Sequence, residues 1–312
     1  MTHNTTHVLA RDADGSSLLH DTKNSITISQ SIASELEIVE GQQVALAKPN
    51  ASPQRVATGR YIAAYHVAAI TDSDDERVEL GPNGRQYISD EGDFEAELRD
   101  QVPDNTLTLP EARRRNEFTE TLHIDDYTSD ILVMAYHGGD IEANTTESAD
   151  WFHKKCKEYG IPTDVYTARG YGKENFGRWH VGSSSMHLRS FPKLREVAAR
   201  HYDLAVSFHL HDVPNNDESP KVLVGGRAGS DLRNRVAGRL DDALPSKYDY
   251  ITDLSQHSMM GASHENIVNW MTRDGASGLQ IEVTPRISQI HRKTVGREVA
   301  LAVLAYLGGE SP

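Results

Sequence analysis

The stretch of sequence that decides the fold is Ile131-Leu132-Val133-Met134-Ala135-Tyr136-His137-Gly138-Gly139-Asp140-Ile141-Glu142. Apolar residues that stop at a Gly-Gly pair predict a buried strand that ends abruptly. Glycine lacks a Cβ, so Gly138 and Gly139 allow the chain to turn sharply. A helix predicted from Thr145 then folds an imidazole and a carboxylate back toward one point. Catalytic zinc sites use such ligands, usually add one more protein ligand, and keep a position for water.

Two later segments supply matching side chains. The short apolar strand predicted from Leu204 ends in His209 and His211, which lie on the same face because strand side chains alternate. His209, the first imidazole after the apolar run, is the favoured third ligand, and His211 is the alternative. Glu282 is an isolated acid within a second strand-like run. A buried acid is costly unless it is paired or its pKa is tuned, which makes Glu282 a candidate general base for a metal-activated water.

Each of these residues also has an ordinary structural explanation. A histidine at the end of a strand usually has a packing role, and a glutamate after a turn commonly stabilises a helix N-terminus. Together, however, they are predicted at the carboxyl ends of strands in one α/β domain, where ligands gather. The set predicts one Zn²⁺ ion bound by His137, Glu142 and a second histidine, with Glu282 as the base.

The same residues stand in motifs that resemble the poly-γ-glutamate hydrolases typified by phage enzymes, which are zinc enzymes with a carboxypeptidase-like α/β fold. The resemblance runs from Ile131 to Leu307 and rests on His-Gly-Gly-x-x-Glu (137–142), Trp-His-Val-Gly-Ser-Ser (179–184), Ser-x-His (207–209), Val-Leu-Val-Gly-Gly (222–226) and Gly-Leu-Gln-Ile-Glu-Val (278–283). It implies His137, Glu142 and His209 as zinc ligands and Glu282 as the catalytic carboxylate.

Two positions depart from the family pattern. Leu210 stands where the family often has glycine, and Arg227 follows the second Gly-Gly pair where a non-basic residue is expected. Both departures bear on the substrate more than on the metal.

A γ-linked glutamate polymer carries a free α-carboxylate on every unit, so its binding requires cations. Arginine suits this task because its planar guanidinium pairs with a carboxylate through two hydrogen bonds. An ordinary solvated arginine is the alternative explanation at each position. The candidate substrate-binding residues are Arg169, Arg178, Arg189, Arg227, Arg286, His180 and Ser183.

Composition narrows the function classes. The net charge of −14 over 312 residues argues against a dedicated nucleic-acid-binding protein, which would carry a basic face. The single cysteine, Cys156, excludes an internal disulfide and a cysteine-rich zinc site. Because there is no membrane-length apolar run and no signal-peptide pattern at the start, we expect a soluble, cytoplasmic protein, with extracellular action only after lysis. The sequence does not indicate an oligomeric state.

The pattern along the chain predicts a β-rich, barrel-like part followed by an α/β part. The expected segments are a flexible N-terminus (1–22), a small β-rich domain (23–95), a linker (96–126) and a zinc-hydrolase α/β domain (127–312). The β-rich strands are predicted at 25–29, 42–48, 60–70, 77–80 and 85–88, with one helix at 31–37. Alternation of strands and helices after residue 130 predicts a mostly parallel mixed sheet covered on both faces, and the family resemblance implies a carboxypeptidase-like three-layer αβα domain.

The leading hypothesis is therefore a zinc-dependent hydrolase that cleaves the γ-glutamyl amide bonds of poly-γ-glutamate. A zinc carboxypeptidase or aminoacylase-type amidase acting on a small acidic substrate is one alternative. A metal-binding regulatory protein without catalysis is another.

Overall fold

The computed structural model describes residues 4–12, 19, 24–88, 92–211 and 221–308. The chain forms two compact units, one made of Met1–Glu120 with Arg169–Arg195 and the other of Thr121–Ala168 with Glu196–Pro312. Each unit has its own hydrophobic core.

In the first unit, six strands of the described residues close into a barrel in the order β1-β5-β2-β4-β3-β6. The pairs β1–β5 and β2–β4 are parallel, and the other neighbours are antiparallel. The small barrel predicted from the sequence is confirmed. The strands are β1 (Thr5–Asp12), β2 (Ser25–Ser29), β3 (Gln43–Ala47), β4 (Ile62–Thr71), β5 (Arg77–Leu80) and β6 (Phe94–Arg99).

The N-terminal strand corrects one expectation. Thr5–Asp12 was expected to be flexible, but it pairs with both β5 and β6 and thereby closes the barrel. Closure removes the exposed edges that β5 and β6 would otherwise present. The rest of the predicted flexible segment, at positions 1–3, 13–18 and 20–22, lies outside the described residues.

The strand predicted at 85–88 is also wrong. Pro82–Arg85 forms a short helix with proline in its first turn, where a missing N–H costs nothing. The hydroxyl of Tyr65 donates a hydrogen bond to the carbonyl of Gly84 (2.7 Å) and ties this helix to the barrel.

The segment expected to be a linker carries regular structure. Phe94, Ala96 and Leu98 of β6 point into the barrel core, while Glu95 and Glu97 alternate with them. The charges concealed a period-two pattern typical of a half-buried strand. A helix follows at Leu109–Arg115, capped by reciprocal hydrogen bonds between Thr108 and Glu111.

The second unit is built on a seven-stranded mixed sheet in the order β12-β11-β13-β10-β8-β9-β7. The central strands β8, β10 and β13 are parallel, and β11 runs antiparallel to β13. The predicted mixed α/β fold is thus confirmed. The strands are β7 (Phe118–His123), β8 (Ile131–Gly139), β9 (Thr163–Gly170), β10 (Leu204–Leu210), β11 (Lys221–Gly225), β12 (Asp249–Ile251) and β13 (Gly278–Val283).

Helices cover both faces of this sheet. The long helices Thr145–Glu158, Ser230–Ala243 and Pro285–Gly308 bury their apolar sides against one face. The short helix Ile267–Trp270 lies on the other face, where Asn266 contacts Gln280. No helix of the described part of the chain combines the length and apolar composition needed to cross a membrane. In chain order the helices are α1 (Gln30–Glu35), α2 (Pro53–Thr58), α3 (Pro82–Arg85), α4 (Leu109–Arg115), α5 (Thr145–Glu158), α6 (Asn175–Trp179), α7 (Pro192–Ala198), α8 (Ser230–Ala243), α9 (Ile267–Trp270) and α10 (Pro285–Gly308).

Candidate functional site

The turn after β8 folds Glu142 back onto His137. Gly139 adopts a left-handed conformation (φ 74°), and the N–H of Glu142 donates to the carbonyl of His137 (2.8 Å). Asn144 is also left-handed (φ 70°) and leads directly into α5. As a result, Oε1 of Glu142 lies 2.9 Å from Nδ1 of His137, as the Gly-Gly turn predicted.

His209 approaches the same carboxylate from the neighbouring strand. Its Nδ1 lies 3.3 Å from Oε2 of Glu142, and its ring centroid is 5.4 Å from that of His137. The backbone N–H of Leu210 donates to Oε2 of Glu142 (3.0 Å), which fixes the carboxylate between the two imidazoles. All three side chains of the cluster are buried.

His211 lies elsewhere. Strand β10 ends at Leu210, so the alternation that would place His211 beside His209 no longer applies. Nδ1 of His211 lies 3.2 Å from Sδ of Met259, and its ring packs edge-on against His257 at 4.7 Å. Of the two histidines weighed as a third ligand, the structure brings His209 to Glu142.

Glu282 lies on β13 directly beside His209, since the two residues are paired in the parallel ladder. The amide of Gln280 donates to Oε1 of Glu282 (2.6 Å), while Oε2 is buried without a hydrogen-bond partner among the described residues. Asn266 in turn donates to Oε1 of Gln280 (2.8 Å). Glu282 is therefore held at one oxygen and open at the other.

The two buried carboxyl groups have opposite electrostatics. Burial, and next the negative charge of Glu142, raise the pKa of Glu282 to about 8. Burial alone would also raise the pKa of Glu142, but the charges and hydrogen bonds of His137 and His209 outweigh it and hold that pKa well below its usual range. Such divergence between neighbouring acids is typical of sites that move protons.

Sequence reasoning missed the residues that support this cluster. Tyr136 packs edge-on against the rings of His137 (4.9 Å) and His209 (4.6 Å). Gln280 shares the strand face of Glu282 because it lies two residues earlier, a signal that the period-two pattern contained. Asn266 lies far away in the sequence and carried no such signal.

The two arginine candidates of this unit lie at opposite ends of β13. Arg286 is exposed in the first turn of α10, four residues after Glu282. Arg227 follows the antiparallel strand β11, and the next residue, Ala228, bonds to the carbonyl of Gly278 at the amino end of β13 (2.8 Å). The antiparallel run of β11 therefore carries Arg227 away from Glu282.

Arg178, in the other unit, does not fit its expected substrate-binding role. Its side chain is completely buried and donates to the carbonyls of Ile62 (2.9 Å), Asn116 (2.8 Å), Tyr171 (3.2 Å) and Lys173 (3.3 Å). A guanidinium whose N–H groups are occupied by backbone carbonyls holds loops together and is shielded from ligands.

The remaining candidates also belong to that unit. Arg189 is exposed and donates to the carbonyl of Glu37 (2.7 Å). The ring of His180 is stacked on Phe176 at 4.2 Å. Arg169 and Ser183 are half-buried.

Comparison with known proteins places this site in a family context. A family model described as poly-gamma-glutamate hydrolase matches residues 107–300, more than half of the chain. The fold is similar to a bacteriophage poly-gamma-glutamate hydrolase (18% identity, 61% of this chain and 91% of that chain, TM-score 0.47). It is also similar to a metallo-carboxypeptidase from Pseudomonas aeruginosa (13%, 100% and 91%, TM-score 0.42). A comparison with curated protein sequences gives no match.

Proposed function

Because the chain belongs to the poly-γ-glutamate hydrolase family, we propose that it is a zinc-dependent hydrolase of the γ-glutamyl amide bonds in poly-γ-glutamate. The observation that carries the proposal is the convergence of His137, Glu142 and His209 on one buried point beside Glu282.

The donor set suits zinc. Two imidazole nitrogens and one carboxylate are common zinc ligands, and ligand atoms around a tetrahedral zinc ion lie roughly 3.3 Å apart. The N–O separations here are 2.9 Å for His137 and 3.3 Å for His209, close to that spacing. His137, Glu142 and His209 would hold the ion, which would act there as a Lewis acid toward water and the amide carbonyl.

Glu282 has the properties of the proton carrier. Its unpartnered Oε2 can accept a proton from the attacking water, while Gln280 holds Oε1 in place. The buried surroundings that raise its pKa to about 8 also favour the protonated form after transfer. Glu282 then returns the proton to the departing amine, which must leave in neutral form.

The α-carboxylates of the polymer require cationic partners near this end of the sheet. Arg286 is the candidate closest in sequence to Glu282, at the start of the helix that follows β13. Arg169, Arg189, His180 and Ser183, in the other unit, remain candidates for substrate binding. Arg178 and Arg227 are set aside because of their positions.

Metal analysis and polymer sizing test this proposal together. Purified protein should carry stoichiometric zinc and should shorten poly-γ-glutamate chains, as measured by size-exclusion chromatography. Glu282→Gln is the matched control: it should retain the metal while the turnover rate falls by about 10²–10⁴-fold, the usual contribution of a general base.

The alternative functions predict other results. Zinc binding with unchanged polymer length, but release of acids from acyl amino acids, would favour an amidase. Zinc binding without activity on either substrate class would favour a regulatory protein. Absence of zinc would contradict the enzyme proposals altogether.

A further inference from the structure

A second group of metal-ligand side chains lies in the same unit as the zinc site. His123 ends β7, Asp125 follows it by two residues, and His153 lies in the middle of α5. Nε2 of His123 is 2.8 Å from Oδ1 of Asp125, and Nε2 of His153 is 2.8 Å from Oδ2. We propose that these three residues bind a transition-metal ion of the zinc class, independently of the proposed active site.

The carboxylate of this cluster is held in place before any ligand arrives. Oδ2 of Asp125 also accepts from the N–H of Thr163 (3.2 Å), and the N–H of Asp125 donates to Oδ1 of Asp164 (3.1 Å). Asp164 is completely buried and is itself held by the hydroxyl of Tyr202 (2.8 Å) and by Arg200. Ligands fixed by such outer contacts bind metals more tightly.

The geometry allows an ion with small adjustments. The three candidate ligand atoms lie within 4.8 Å of one another, and tetrahedral zinc needs them roughly 3.3 Å apart. The side chain of His123 is 57% exposed and can rotate to make the adjustment, whereas those of Asp125 and His153 are 15% and 17% exposed. The exposed side leaves room for water as the remaining ligand. Two imidazoles with one carboxylate favour zinc-class ions over magnesium or calcium, which prefer oxygen.

The cluster is separate from the proposed active site. Thr163 is the first residue of β9, and Tyr202 precedes the start of β10, so this network lies at the amino-terminal end of those strands. His209 lies near the carboxyl end of β10, five residues after Leu204, which corresponds to roughly 17 Å along a strand. A metal here would join the β7–β8 connection to α5, a structural role.

Metal stoichiometry tests the site. We expect metal-stripped wild-type protein to bind two equivalents of Zn²⁺ added alone, measured by elemental analysis after dialysis. His123→Ala and His153→Ala should each bind one equivalent. His264→Ala, which removes an exposed histidine outside both clusters, should still bind two. Retention of two equivalents in His123→Ala overturns the proposal. A wild type that binds fewer than two equivalents also overturns it, unless the next experiment shows that the missing equivalent belongs to the active site.

A double variant separates this site from the proposed active site. His137→Ala combined with His209→Ala removes the first site and should leave one equivalent, which His153→Ala then abolishes. With Cu²⁺ as the probe in the double variant, electron paramagnetic resonance should show two nitrogen ligands, reduced to one by His123→Ala. If only the active-site proposal is wrong, the double variant still binds one equivalent of metal. If the double variant binds no metal, the proposal of the second site is wrong. His123 is exposed, so His123→Ala should fold normally, which circular dichroism checks.

Discussion

Glu282 lies on β13 and Glu142 follows β8, and only the strand β10 separates these two strands in the sheet. Both acids are buried, and their opposite pKa shifts have opposite consequences for stability. The pKa of Glu282 rises from 4.5 to about 8 on folding. In the metal-free protein this group therefore costs no stability below about pH 4.5. The cost grows as the pH rises and levels off above about pH 8. The lowered pKa of Glu142 acts the other way, and its contribution is lost only in acid.

We therefore expect metal-free Glu282→Gln to be more stable than metal-free wild type at pH 8. The difference should be on the order of 3 kcal/mol, because each pKa unit corresponds to about 1.4 kcal/mol and part of the shift depends on Glu142. The difference should shrink toward zero as the pH falls below about 4.5. Urea unfolding at several pH values measures this, and a difference that does not vary with pH would contradict the pKa assignment.

The choice between His209 and His211 is a second prediction at the residue scale. His209→Ala should lower zinc affinity by at least about 100-fold, because it removes a ligand from a three-residue set. His211→Ala should leave zinc affinity within a few-fold of wild type, since that ring faces Met259 and His257. Calorimetric zinc titration of both variants decides, and the reverse order would exchange their roles.

At the scale of elements, the packing of α10 against α5 positions the loop that carries Glu142. A Cβ at Gly296 of α10 would lie 2.2 Å from the carbonyl oxygen of Ser148 and 2.9 Å from Cβ of Trp151, both in α5. Helix α5 starts three residues after Glu142, so a displacement of this helix is transmitted to the site. The two helices can approach this closely only because Gly296 has no side chain.

Gly296→Ala should therefore destabilise the protein by about 2 kcal/mol and weaken zinc binding. Gly238→Ala is the matched control, because a Cβ there meets nothing within 4 Å and alanine favours the helix. The control should be neutral or stabilised by up to about 1 kcal/mol. Thermal unfolding of both variants measures the contrast, and equal effects would argue against tight packing at Gly296.

Charge acts at the scale of the whole molecule. The chain carries a net charge of −14, and the proposed substrate is a polyanion, so the two repel each other over long distances. Salt shortens the range of that repulsion, from about 30 Å at 0.01 M to about 8 Å at 0.15 M.

We expect kcat/KM for long poly-γ-glutamate to rise by about two- to five-fold over that salt range. A short neutral γ-glutamyl amide should show little change and serves as the control. A decrease with salt for the polymer would instead indicate that a local cationic surface dominates association.

Much of the fold followed from local pattern. The apolar run before the Gly138-Gly139 pair predicted β8, and later short apolar runs predicted β10 and β13. Where charge masked the alternation, as in Phe94–Arg99, the strand was missed. The strand predicted at 85–88 was wrong because a proline-initiated helix and a hairpin turn share the same short-range signals.

The sequence by itself determined the strand-turn-helix that joins His137 to Glu142 and the presence of His209 and Glu282 on later strands. These depend on residue types and short spacings, which the chain carries locally. Only the tertiary structure decided that His209 rather than His211 meets Glu142, that Arg178 is buried, and that His123, Asp125 and His153 converge. Those outcomes depend on register, burial and distances between segments remote in sequence, which arise only when the sheet and helices pack together.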